Sequence, residues 1–428
     1  MLQDIIINAM YSPSLTPVIV MFVYSILKRF YKRPLVYTNE LKNALVSPNN
    51  SEIKTFRLCN EAGEAVKGAE LPAELCDTKT LKEIYDGMIL LASMDKLLYE
   101  AQRQGRISFY MTSTGEEATH FGSARALHKN DPIYAQYRET GVLLSRGFPL
   151  QQMLHQMTGN CKDLGKGRQM PVHYGHGELK IQTISSPLGT QLPQAVGYAY
   201  FLKTTGKEAN LPICYFGEGA ASEGDFHAAL NMAATLKTPL IFFCRNNQFA
   251  ISTPDHEQYA GDGIAARGPG YGVPSIRVDG NDLWAVYAAT KAAREMALKQ
   301  GTPVLIEAMT HRIGHHSTSD DSTAYRPALD PVETEKSCPI ARVRRHLQAR
   351  GALTDSENYA LIQESRRRVL EALETAEKLP KPAIENLFTD VYDQLTPELE
   401  AQQKQLMEHL AKYPNEYNVQ EFQSNQSK

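Results

Sequence analysis

A carboxylate and a carboxamide stand at matching places in this chain, each in a loop directly behind an apolar run. Gly217-Glu218-Gly219 follows Leu211 to Phe216, and Asn246-Asn247 follows Pro239 to Cys244. The stretch between them, Ser222 to Leu236, reads as a helix, so the unit is strand–helix–strand. Open α/β sheets take ligands at the carboxyl ends of parallel strands, where both loops then fall. A carboxylate oxygen and an amide oxygen held there are hard ligands, suited to Mg²⁺ carrying a phosphate ester. The flanking glycines let backbone approach a diphosphate closely. Gly and Asn are also the commonest turn residues, so two ordinary turns would read the same way.

The elements needed to position such loops are legible on both sides. Asp77-Thr78 can cap a helix whose apolar stripe runs Leu81, Ile84, Met88, Leu91, Met94 and Leu98. Gln191 to Leu202 reads as a helix, Ser275 to Val278 as a short strand, and Asp282 to Leu298 as a helix closed by Gly301. Pro303 to Met309 is another strand. Strand–helix alternation predicts an α/β fold, a parallel sheet with helices on both faces. From Pro339 the chain turns helical and charged: Ile340 to Gln348, Ser356 to Glu377, and a last helix opened by Thr396-Pro397-Glu398. The run Arg366-Arg367-Arg368 reads as a solvated helix face. The expected organisation is an extension over residues 1–50, an arm over 51–77, an α/β domain over 78–338 and a helical C-terminal region over 339–428.

Composition bounds the function classes. The 428 residues are 42% hydrophobic and 22% charged, which is ordinary for a globular protein with a large core. A net charge of −3 gives no long-range pull toward nucleic acid, and no nucleic-acid partner is expected. The six cysteines form no CxxC pair. Cys214 and Cys244 sit inside apolar strand runs, and a reducing compartment fits them best. Near the N-terminus no charge falls between Asp4 and Lys28, and Val18 to Leu27 is apolar apart from Ser25. That run is short for a membrane span. Lys28, Arg29, Lys32 and Arg33 follow it, and a targeting or processed segment is the expectation.

Gly217-Glu218-Gly219 with Asn246-Asn247 resembles the diphosphate-binding motif of thiamine-diphosphate enzymes, with Glu where most have Asp. Tyr137-Arg138, Ser185 to Gln191 (SSPLGTQ), Gly217 to Asp225 (GEGAASEGD), Phe242 to Asn247 (FFCRNN), Gly261 to Gly272 (GDGIAARGPGYG) and Gly314 to Asp321 (GHHSTSDD) occur in that order. This set is similar to the alpha subunits of the branched-chain 2-oxo acid dehydrogenases, the thiamine-dependent decarboxylating component of those complexes. The resemblance runs from about Phe109 to Arg326 and continues more thinly to the C-terminus.

The resemblance implies a thiamine-diphosphate-binding fold and a mitochondrial matrix location. It implies Mg²⁺ held by Glu218, Asn247 and the backbone carbonyl of Phe249, where the family usually has Tyr. Tyr137, Arg138, Ser186, Gly219, Ala220, Arg245 and His316 would contact the cofactor. Ser185, Pro187, Thr190 and Gln191 would hold a structural K⁺, and Leu188 would wall the pocket for a branched side chain. His316 is the expected active-site residue, with an ordinary pKa near neutrality suited to charge changes. A metal reading of His315-His316 with His311 is weak, since no Cys or carboxylate completes a usual set. Ser317, in a segment expected to be a mobile loop, matches a regulatory phosphorylation site. The carboxylate that activates thiamine has no counterpart here, so a beta subunit in an α₂β₂ assembly is implied. So are a lipoyl acyltransferase core, a kinase and a phosphatase. Two rival readings are a pyruvate-type alpha subunit and a non-catalytic scaffold paralogue.

Overall fold

Six parallel strands make the central sheet, in the spatial order β1-β7-β8-β4-β3-β2. They are β1 (Thr55–Phe56), β2 (Ile133–Tyr134), β3 (Ile213–Gly217), β4 (Leu240–Asn246), β7 (Ser275–Asp279) and β8 (Pro303–Met309). The remaining two, β5 (Phe249–Ala250) and β6 (Thr253–Pro254), form a separate antiparallel hairpin. The computed structural model describes residues 53–207, 209–327 and 330–423. The extension expected over residues 1–50 lies outside these. Among the described residues no helix is long and apolar enough to cross a membrane.

Side-chain alternation assigns the two faces of the sheet. Ile213, Tyr215, Ile241, Phe243, Val304 and Ile306 join one buried cluster with Trp284 and the helices Thr78–Arg103 and Leu283–Gln300. Cys214, Phe216, Leu240, Phe242 and Leu305 join another, under the helices Gln191–Thr204 and Gly224–Leu236. Helices thus cover both faces, as the strand–helix alternation requires.

The helix ends follow their local chemistry. Asp77 accepts from the Thr80 amide at 2.8 Å and so opens Thr78–Arg103. Asp282 accepts from the Trp284 and Ala285 amides, and Gly301, at φ +61°, closes Leu283–Gln300. Thr354 and Glu357 form a reciprocal capping box at the start of Asp355–Glu377.

The C-terminal helices join the first core. Val343 and Leu347 of Pro339–Ala349, with Val369 and Leu373 of Asp355–Glu377, lie in the same cluster as Leu81 and Met94. Arg342 reaches Asp279 at 2.9 Å. The helix Pro397–Lys412 contains no buried residue.

The chain runs β2, β3, β4 across the sheet in one direction, crosses over to β7, and comes back with β8 beside β4. Strand order therefore reverses between β4 and β8. In open α/β sheets the ligand crevice lies at that switch, beyond the carboxyl ends of the strands.

Candidate active site

A cavity of about 200 Å³ opens at this switch. Its lining comes from the segments that follow four strands. After β2 come Gln136, Tyr137 and Arg138; after β3, Glu218, Gly219 and Ala220; after β4, Asn247 and Phe249; after β8, Arg312 and His316. Leu188 also borders it. The structure thus brings together Tyr137, Arg138, Leu188, Glu218, Gly219, Ala220, Arg245, Asn247, Phe249 and His316, which are separate in sequence.

Glu218 is 2% exposed, and its Oε1 has no hydrogen-bond partner. The other oxygen, Oε2, takes only a long contact of 3.4 Å from the Asn247 amide. Burial, with the charge of Glu116 behind it, pushes the Glu218 carboxyl up to about 7. A buried carboxylate without a partner is costly unless a cation completes it. The amide oxygen of Asn247 lies in the same pocket and accepts only from the Phe249 amide, at 3.3 Å. Gly219 lets the loop pack closely on the β5–β6 hairpin, since a Cβ there would come within 2.7 Å of Ala250 Cβ. The donor set fits a hard divalent cation and an anionic ester.

Arg245 is clamped by two buried carboxylates. Its Nη1 lies 2.6 Å from Glu116, and its Nη2 lies 2.5 Å from Glu139. Burial works against ionisation of Glu116, but Arg245 and Arg138 hold its carboxyl down at about 2. Glu116 also accepts from Asn247 Nδ2 at 3.0 Å, which fixes the amide with its oxygen toward the Phe249 backbone. Arg245 lines the cavity with its charge already balanced from behind.

His316 sits between two other guanidinium groups. Its Nδ1 lies 3.4 Å from Arg138 and 3.3 Å from Arg312. Both neighbours can only donate, so Nδ1 is the bare acceptor and the proton sits on Nε2. Burial, then Arg138 and Arg312, push the imidazole down to about 3. The ring stays neutral through the physiological range, unlike the expectation of charge changes near pH 7. Tyr137 holds it edge-on, with ring centroids 6.0 Å apart.

Ser186 is not among the lining residues; its hydroxyl lies 2.7 Å from His173 Nε2. In the rest of that loop, Thr190 Oγ1 donates to the Pro187 carbonyl at 3.2 Å, and Gln191 donates to the Tyr215 carbonyl at 3.1 Å. Gly189 has φ +84°, which suits a residue without Cβ.

His315 spends Nδ1 on Ser322. Ser317 is buried, and its Oγ accepts from the Ser319 amide at 3.3 Å. Its segment is tied down. Asp320 accepts from the His316 amide at 2.7 Å and from the Tyr325 hydroxyl at 2.6 Å. Arg326 closes the base by donating to the carbonyls of Arg312, Ile313 and Gly314.

Sequence reasoning missed Gln136 and Arg312 in the cavity, and Glu116 and Glu139 behind it. Arg312 had a usable signal, since it follows β8 as Asn247 follows β4. Gln136 follows a two-residue strand too short to carry a period.

The sequence matches the dehydrogenase E1 component family over residues 85–385. The chain is 52% identical to the mitochondrial 2-oxoisovalerate dehydrogenase subunit alpha of Dictyostelium discoideum, over 93% of this chain and 90% of the relative. It is 54% identical to the proteins of the same name from Bos taurus (89% and 84% of the two chains) and Homo sapiens (89% and 85%). The chain belongs to the dehydrogenase E1 component family.

Proposed function

We propose that this chain is the alpha subunit of a branched-chain 2-oxo acid dehydrogenase, acting on 3-methyl-2-oxobutanoate (2-oxoisovalerate) and its branched relatives in branched-chain amino acid catabolism. The observation that carries the site assignment is the buried, unpartnered Oε1 of Glu218. The substrate class rests on the three relatives described above, each named as a 2-oxoisovalerate dehydrogenase subunit rather than a pyruvate enzyme. Its location is the mitochondrial matrix. It works with a beta subunit in a heterotetramer, and it passes the acyl group to the lipoyl group of an acyltransferase core.

Thiamine diphosphate, when bound, supplies the electron sink that a 2-oxo acid needs to lose CO₂. This chain's residues hold and orient it. Glu218, Asn247 and the carbonyl of Phe249 offer oxygens to Mg²⁺. Arg138 and Arg312 bring positive charge to the diphosphate side, and neutral His316 offers Nε2–H as a donor. Ser185, Pro187, Thr190 and Gln191 form an oxygen-rich loop suited to K⁺. Leu188 gives the apolar wall, worth about 10- to 200-fold in discrimination for each branched group. A scaffold role without catalysis would leave the charge arrangement around Glu218 without a use. Ser317 is the proposed target of a regulatory kinase, reversed by a phosphatase.

Glu218→Ala should abolish Mg²⁺-dependent retention of thiamine diphosphate in the purified α₂β₂ enzyme, with unchanged circular dichroism. Unchanged retention would remove the metal assignment. Equal kcat/KM for pyruvate and 3-methyl-2-oxobutanoate would remove the substrate assignment.

A further inference from the structure

We infer that a second cavity, against the helix Leu150–Thr158, is a binding site for a small organic ammonium ion with an apolar body. The cavity holds about 650 Å³ and shares no lining residue with the cofactor cavity. Nothing in the proposed chemistry uses it.

The local sequence builds this space. Gly159, at φ +59°, ends the helix, and the chain returns along it. Asp163 winds the next turn by accepting from the Gly165 and Gly167 amides, at 3.0 and 2.8 Å. The turn is pinned to the C-terminal region, because Lys166 and Arg168 both reach Asp390, at 2.5 and 2.8 Å. These two cations are thereby spent away from the cavity, and no Lys or Arg is among its lining residues.

The polar groups left there accept. Gln156 donates from Nε2 to the Met170 carbonyl at 2.7 Å, which fixes the amide, since a carbonyl cannot donate. Its Oε1 has no partner, and the residue is 4% exposed. One helical turn earlier, Gln152 spends its Nε2 on the Lys162 carbonyl at 2.9 Å in the same way. The carboxylates of Asp163 and Glu178 line the same space. An amide oxygen buried without a partner is costly, so the site calls for a donor. The rest of the lining includes apolar side chains: Phe148 and Ile181 are buried, and Leu164 is 55% exposed.

Charge then selects the ligand. A 2-oxo acid or a diphosphate would meet acceptors and carboxylates, with no cation to balance it. An alkylammonium brings three N–H donors and a positive charge, and its hydrocarbon part covers the apolar residues. A bare metal ion would leave most of the space unfilled and those residues uncovered.

The test uses cyclohexylammonium, cyclohexanol and cyclohexanecarboxylate, which share one body and differ in the head group. Binding to the α₂β₂ enzyme, saturated with thiamine diphosphate and Mg²⁺, is measured by calorimetry. The ammonium compound should bind saturably, once per alpha chain, and more tightly than the alcohol; the carboxylate should not bind. Gln156→Leu should lower the affinity for the ammonium compound about tenfold, the worth of one hydrogen bond to a charged group. Leu164→Lys, at an exposed position, should lower it as well by bringing a cation to the cavity. Glu218→Ala should leave it unchanged, even where that variant loses thiamine diphosphate. No saturable binding of the ammonium compound overturns the inference, and so does carboxylate binding of equal strength. Unchanged affinity in an assembled Gln156→Leu enzyme overturns it too. If that variant does not assemble, unchanged affinity in Leu164→Lys overturns it instead. Binding lost in Glu218→Ala would place the ammonium compound in the cofactor cavity and likewise overturn it. None of these outcomes bears on the cofactor reading, which stands or falls on retention of thiamine diphosphate.

Discussion

Glu117 shows how one buried side chain can give the whole fold a pH dependence. It lies at the start of the helix Glu117–Arg125 and accepts from the Gly115 amide at 3.0 Å. Burial pushes its carboxyl from 4.5 up to about 8. The folded chain therefore holds this proton more tightly than the unfolded chain does. Below about pH 4.5 both states are protonated, and the group costs nothing. As pH rises toward 8 the unfolded state ionises first, and stability falls. Glu117→Gln keeps the bond to Gly115 without the ionisation. Its Tm should match wild type near pH 4.5 and exceed it by a few degrees at pH 8. Thermal scans across that range check this, and a gap that narrows with rising pH would contradict it. Neither Glu117 nor its neighbour Glu116 could be singled out in the sequence. Glu116 acquires its role only by meeting Arg245 and Asn247, which lie some 130 residues further along.

At the scale of elements, the segment from Gly314 to Arg326 is held in place by a few hydrogen bonds. Asp320 braces it from within by accepting from the His316 amide and Tyr325. Negative charge at buried Ser317 would repel Asp320 and disturb the backbone that carries His316. Ser317→Glu should lower kcat about a hundredfold, the scale of a displaced catalytic group, with little change in Tm. Wild-type steady-state kinetics in that variant would sink the mechanism. The long elements were legible because caps and apolar periods announce them: Asp77 and Thr396 cap where the sequence places them, while Asp282 and Thr354 cap helices whose starts were read at Asp282 and Ser356. The edge strands β1 and β2 were not, because two residues cannot display alternation. The ordering of the 314–326 segment was also hidden. A polar, acidic stretch reads as mobile until Arg326 and Tyr325 are seen to close it.

At the scale of the whole molecule, the helices Gln191–Thr204 and Gly224–Leu236 are apolar on both sides. Ala195, Ala199, Ala229 and Ala233 face the sheet, while Tyr198, Phe201, Met232 and Leu236 are exposed. Helices of this kind are buried in the finished assembly. Both begin beside the cavity, next to Leu188 and Glu223. Phe201→Asp should therefore prevent α₂β₂ formation while leaving the single chain folded; sedimentation with circular dichroism reads both, and an intact heterotetramer would refute it. The core itself makes a demand of another kind, on timing. Tyr85 bonds to Asn358, and Arg106 pairs with Glu377, so the first long helix finds its cover close to the other end of the chain. At about 5–20 residues per second, a ribosome would finish Thr78–Arg103 roughly 13–50 s before Asp355–Glu377 emerges. Through that interval the apolar stripe lacks its native cover, the kind of exposed surface that chaperones exist to shield.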